Sequence, residues 1–180
     1  MARHSKCPAP EVHLLGDIVT AFGNLEIFLE GTIWQLLGQE DQSKFLMAQA
    51  LTAEMSFDRK VHALASMFRV KYPKQHEAEL ESLVASLSKA QEERNALMHS
   101  AWNYSADSGQ FERMKATAKA KRGLVRRVHT TSAATLETVR GNIDKVANDL
   151  VNFTIAHIQP PDTPREKDGA GEQGVAADEA

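Results

Sequence analysis

Residues 136–158 read LETVRGNIDKVANDLVNFTIAHI, and their apolar members decide the fold class. Leu136, Val139, Ile143, Val146, Leu150, Phe153 and His157 recur at steps of three and four, the period that lines up one face of an α-helix. Ser132 or Thr131 stands where an N-cap belongs, and Pro160 with Pro161 ends the pattern. The same period returns toward the N-terminus. Leu15, Ile18, Phe22, Leu25, Leu29, Ile33 and Leu36 form one stripe, halted at Gly38. A second stretch begins near Asp41 and carries Phe45, Leu46, Met47, Ala50 and Leu51. After a break at Met55–Ser56, with Ser56 as a cap, Val61, Leu64, Ala65, Met67 and Phe68 run on until Pro73. A further stripe holds Leu80, Leu83, Val84, Leu87, Gln91, Arg94, Leu97 and Met98.

Only residues 102–130 break this rhythm. Trp102, Asn103 and Tyr104 lead into the turn-forming run Ala106-Asp107-Ser108-Gly109-Gln110. Phe111–Lys119 and Leu124–His129 then flank Lys121-Arg122-Gly123, a second turn. The expected fold is an all-α, four- to five-helix up-and-down bundle over residues 11–158, with a basic β-hairpin or loop insert at 102–130 before the last helix.

Composition sets the outer limits. The chain has 180 residues, 42% hydrophobic and 25% charged, with a net charge of −3, as an ordinary globular domain has. Cys7 is the single cysteine, so no disulfide forms within the chain. No uninterrupted apolar run approaches the roughly 18 residues of a membrane span, and no apolar segment follows MARHSKCPAP as in a secretory signal. The expectation is a cytoplasmic protein without membrane association. Residues 1–10 are expected to be disordered. So is the tail 159–180, where Asp162, Glu166, Asp168, Glu172, Asp178 and Glu179 face only Arg165 and Lys167 and almost nothing apolar can be buried.

Several chemistries lack their motifs. None of the seven histidines has glutamate three residues before it, as di-iron bundles require. His-Glu-x-x-His, Gly-x-Gly-x-x-Gly and the P-loop pattern are also missing. No metal and no cofactor are therefore expected. One segment stands apart, Glu92-Glu93-Arg94-Asn95-Ala96-Leu97-Met98-His99-Ser100-Ala101-Trp102. Arg94 continues the apolar stripe, where an arginine needs an anion, a partner or a second subunit. Asn95 and His99 share a helix face. Arg94 and His99 lie about 140° apart on an ideal helix, so a helix break or a symmetric partner is needed to bring them together.

Glu93-Arg94-Asn95 followed by His99 resembles the Arg-x4–6-His signature of the HEPN (higher eukaryotes and prokaryotes nucleotide-binding) superfamily. Arg69–His76 and Arg122–His129 have an allowed spacing too, but the first spans Pro73 and the second lies in the insert. The likeness extends to Ile33-Trp34-Gln35-Leu36-Leu37, to Met55-Ser56-Phe57, and to Lys60-Val61 with Leu64. It implies a metal-independent endoribonuclease of toxin or defence type, a homodimer whose Arg/His pairs line one composite cleft. In that reading Arg94 holds the scissile phosphate, His99 moves a proton at the ribose 2′-OH or the leaving 5′-oxygen, and Asn95 orients one of them. The resemblance also implies an antitoxin or nucleotidyltransferase partner. The tyrosine that such transferases modify, two residues beyond the histidine, is replaced here by Ala101.

The insert supplies an independent argument for RNA. Arg113, Lys115, Lys119, Lys121, Arg122, Arg126 and Arg127 fall within 113–129 with no acid among them, leaving 14 basic residues to set against 24 acidic ones elsewhere. Such asymmetry marks a phosphate-binding patch, and Trp102, Tyr104 and Phe111 are candidates to stack on unpaired bases. Two alternatives stand beside the nuclease. One is a non-catalytic HEPN-like helical module that dimerises and binds nucleotide, RNA or a protein partner. The other is a purely structural bundle that assembles with a larger complex; in the plain structural reading of the site, Arg94 pairs with Glu93, Glu92 or an acid on another helix and His99 caps the helix end.

Overall fold

Helix boundaries fall where caps and prolines put them. The computed structural model describes residues 9–37, 42–105, 110–119 and 123–158. In order these form α1 (Ala9–Leu36), α2 (Gln42–Ala53), α3 (Phe57–Lys71), α4 (Glu77–Met98), β1 (Ala101–Ser105), β2 (Gln110–Lys119), β3 (Gly123–Thr131) and α5 (Ala133–His157). The chain is thus mostly helical, with one small antiparallel sheet ordered β1-β2-β3. Ser56 accepts from the Arg59 amide and Ser132 from the Thr135 amide, so both expected N-caps act as such. α1 starts at Ala9 rather than after residue 10, because proline is tolerated in a first helical turn. Residues 1–8 and the tail 159–180 lie outside the described residues.

The helical stripes meet in one core. Ile18, Leu25, Leu29, Leu64, Phe68, Leu80, Leu87, Leu136, Ile143 and Leu150 are fully enclosed. α1 packs against α5 and α3, and α4 against α5 and α3. Two polar ties cross this core. The Thr32 and Thr154 hydroxyls meet at 2.9 Å between α1 and α5. Lys60 of α3, itself buried, reaches Glu26 at 2.6 Å and Glu30 at 2.5 Å on α1.

Two expectations need correction. α2 turns Leu46, Met47 and Leu51 outward and buries Ala48 and Thr52 instead. Its apolar residues are a run rather than a periodic stripe, and Thr52 is drawn inward by the Trp34 indole, which donates to its hydroxyl at 3.1 Å. α1, over Pro10–Leu36, is after all long and apolar enough by composition to cross a membrane, with a mean hydropathy of 1.4 in its most apolar window. Counting uninterrupted runs overlooks this, because scattered charges such as Asp17 leave the average high. Only 28% of that window is buried. The exposed part includes Val12, Val19 and Ile27, which with Gly16 and Gly23 repeat at helical spacing along one face that nothing among the described residues covers.

Candidate functional site

α4 delivers the Arg94–His99 segment at its last turn. The helix ends at Met98, with the His99 amide closing onto Asn95 O at 3.1 Å. The chain must then turn at once into β1. The Trp102 indole fixes that turn by donating to Leu97 O at 3.1 Å. Trp102 also stacks on Phe111 of β2, ring centroids 4.6 Å apart. Phe111 is a core residue, so the sheet is anchored to the helices by its aromatic end. This overturns the base-stacking reading for Phe111, and one face of Trp102 is covered by it as well.

Arg94 is half-buried and is held without an acid. Its guanidinium lies 5.2 Å from the centroid of the Phe22 ring, and Nη1 donates to Asn95 Oδ1 at 3.0 Å. Its Nε is buried with no hydrogen-bond partner. Glu93, the nearest candidate acid in sequence, instead accepts from Asn142 Nδ2 of α5 at 3.4 Å. Among the described residues Arg94 has no ion pair, so the purely structural pairing does not form. His99 is exposed, and its side chain has no hydrogen-bond or ion-pair partner among the described residues. The structure therefore brings Arg94 and Asn95 together, while His99 stands free at the helix end.

The cations of the insert are sorted by strand register. Arg113 pairs with His129, Lys115 with Arg127 and Lys119 with Gly123. Trp102 and Tyr104 of β1 oppose Arg113 and Phe111. Side chains alternate between faces along a strand. Arg113, Lys115, Arg127 and His129 therefore follow Phe111 in one row, and the backbone position of Lys119 continues it. Lys115 directly opposite Arg127 is a like-charge pair, which costs stability unless an anion sits between. Arg126 is in register with Ala116 along the backbone. Lys121 and Arg122 lie outside the described residues.

One cluster escapes any reading of the sequence by motif. His76, Glu79 and His157 hold their side-chain donor atoms within 4.8 Å of one another. Glu79 and His157 are far apart in the chain, and only the packing of α4 on α5 joins them. No local spacing encodes that. The proline-flanked turn before α4 was the nearest available signal, because it placed His76 at a helix start.

No protein-family model, no curated protein and no solved structure matches this chain.

Proposed function

We propose that the protein is a HEPN-type, metal-independent endoribonuclease of toxin or defence type, built as an up-and-down helical bundle that acts as a homodimer. The observation that carries this reading is Arg94. A half-buried guanidinium with no acid beside it among the described residues is a cation available to an external anion. The free imidazole of His99 stands at the same helix end, and the row Arg113, Lys115, Arg127 and His129 begins one strand away. A phosphodiester running along that row reaches the end of α4. Histidine is the side chain suited to moving protons near neutral pH. At the 2′-OH its action yields a 2′,3′-cyclic phosphate and a 5′-OH, with Arg94 bearing the charge of the transition state.

The homodimer is supported by α1, whose Val12, Val19 and Ile27 are exposed. Phe22, on which Arg94 rests, is a buried residue near the middle of that helix, on its core-facing side. An isologous pairing of two α1 helices through the exposed face buries Val12, Val19 and Ile27 of both chains. Val19→Glu with Ile27→Glu is expected to convert a dimer to a monomer in sedimentation and to remove cleavage with it. A double variant that remains dimeric excludes this face.

The direct test is cleavage of single-stranded RNA in the presence of EDTA. Fragments should end in 2′,3′-cyclic phosphate, and the 2′-deoxy analogue should stay intact. Binding without cleavage favours the non-catalytic module, for which the cationic row alone suffices. Its affinity should then fall steeply with salt.

A further inference from the structure

We infer that His76, Glu79 and His157 form a binding site for a late divalent transition metal, zinc foremost, clasping the N-terminus of α4 to the C-terminus of α5. The three side chains come from separate places: the turn before α4, its first turn, and the last turn of α5. The His157 Nε2 lies 2.7 Å from Glu79 Oε2, and the His76 Nδ1 lies 3.6 Å from Glu79 Oε1. Zinc bonds of about 2.0–2.2 Å in a tetrahedron set neighbouring donor atoms roughly 3.4 Å apart. The cluster needs only a small opening of the Glu79–His157 contact, and Glu79, a long and largely exposed side chain, can supply it. Two imidazoles and one carboxylate suit zinc, copper or nickel rather than the oxygen-seeking magnesium or calcium.

The backbone gives an independent sign that the cluster is held in place. His76 adopts φ 52°, ψ 28°, a left-handed conformation that a residue with a Cβ enters only at a cost. Its side chain makes no capping hydrogen bond to α4. What the conformation achieves is to bring the His76 ring to 3.9 Å from that of His157. His157 is in turn seated against Phe153 of the core, centroids 4.8 Å apart, and is only 13% exposed. Glu79 and His157 also border a groove of about 500 Å³ between α4 and α5. Three protein ligands leave one position of a tetrahedral ion for a water or a molecule in that groove.

This site is distinct from the proposed nuclease centre, since Glu79 and Arg94 are separated by about 22 Å along α4 at 1.5 Å rise per residue. The experiment uses the full chain, stripped with EDTA, dialysed and titrated with zinc or cobalt chloride. Zinc should raise the melting temperature. Cobalt should show the strong visible absorption of a tetrahedral site. Glu79→Gln and His157→Gln should each weaken zinc by more than the tenfold to hundredfold that loss of an outer hydrogen-bond partner costs. His76→Gly is the decisive variant: glycine relieves the left-handed backbone, so the metal-free protein should melt no lower than wild type while losing its zinc response. A zinc response that survives in His76→Gly and His157→Gln, or none in the wild type, overturns the proposal. EDTA should lower the melting temperature while RNA cleavage, assayed below it, persists. The two readings therefore fail separately.

Discussion

Replacing Lys60 by methionine should lower the unfolding free energy by about 3 kcal/mol, the lower end of what removing one partner of a buried ion pair costs. The Lys60 side chain is 4% exposed, whereas Glu26 and Glu30 keep 34% and 21% of theirs. The ammonium is thus the enclosed member, and methionine fills its volume without a charge. The loss comes from the two glutamates, left facing each other one helical turn apart with nothing to neutralise them. In a protein of this size that corresponds to a fall in melting temperature of roughly 6–12 °C. Adding Glu26→Gln and Glu30→Gln should restore most of the loss. A Lys60→Met protein that melts like wild type would show that the bridge carries no stability.

The same bridge fixes the response to alkali. Burial alone would lower the Lys60 pKa, but the hydrogen bonds and charges of Glu26 and Glu30 outweigh it and hold the ammonium above the ordinary 10.5. A folded pKa above the unfolded one means the stabilisation is complete below about 10.5 and disappears as pH rises through the higher folded value. Glu79 has the opposite sign. Its depressed pKa contributes stability above the ordinary carboxylate range that is lost only as pH falls through the lower folded value.

The core was legible because its signal is periodic and local. Ile18, Leu25, Leu64, Leu87, Leu136 and Leu150 were readable as burial positions from spacing alone, and all are enclosed. The β2–β3 pair was readable from its turn residues. α2 was misread because an apolar run carries no phase, so the side facing the core is set by neighbours such as Trp34. The site is legible only in part. Arg94 stood out because a cation on an apolar stripe is a local contradiction. Its acid-free setting depends on Glu93 turning to Asn142, which no spacing shows. Lys60 between Glu26 and Glu30, and His76 beside His157, are meetings of distant segments and leave no trace in sequence period.

Substituting His99 by alanine should reduce RNA cleavage at least about a hundredfold, the minimum usually contributed by a positioned acid or base. Because the His99 side chain is exposed and has no partner among the described residues, the helical circular-dichroism signal and melting temperature should stay at wild-type values. Arg94→Lys should lose rate to a comparable extent while retaining much of the RNA affinity, since lysine keeps the charge but not the two-pronged donor geometry. Activity that persists in His99→Ala removes the histidine from the chemistry. The proposed composite cleft makes one further demand that a site within a single chain does not. In a mixed dimer of one Arg94→Ala and one His99→Ala subunit, a cleft drawing arginine from one chain and histidine from the other contains one intact pair, so about half of wild-type activity should return. If each chain builds its own site, both pairs are broken and the mixed dimer is inactive. The outcome decides whether the twofold axis passes through the reaction centre, as the proposed composite cleft requires.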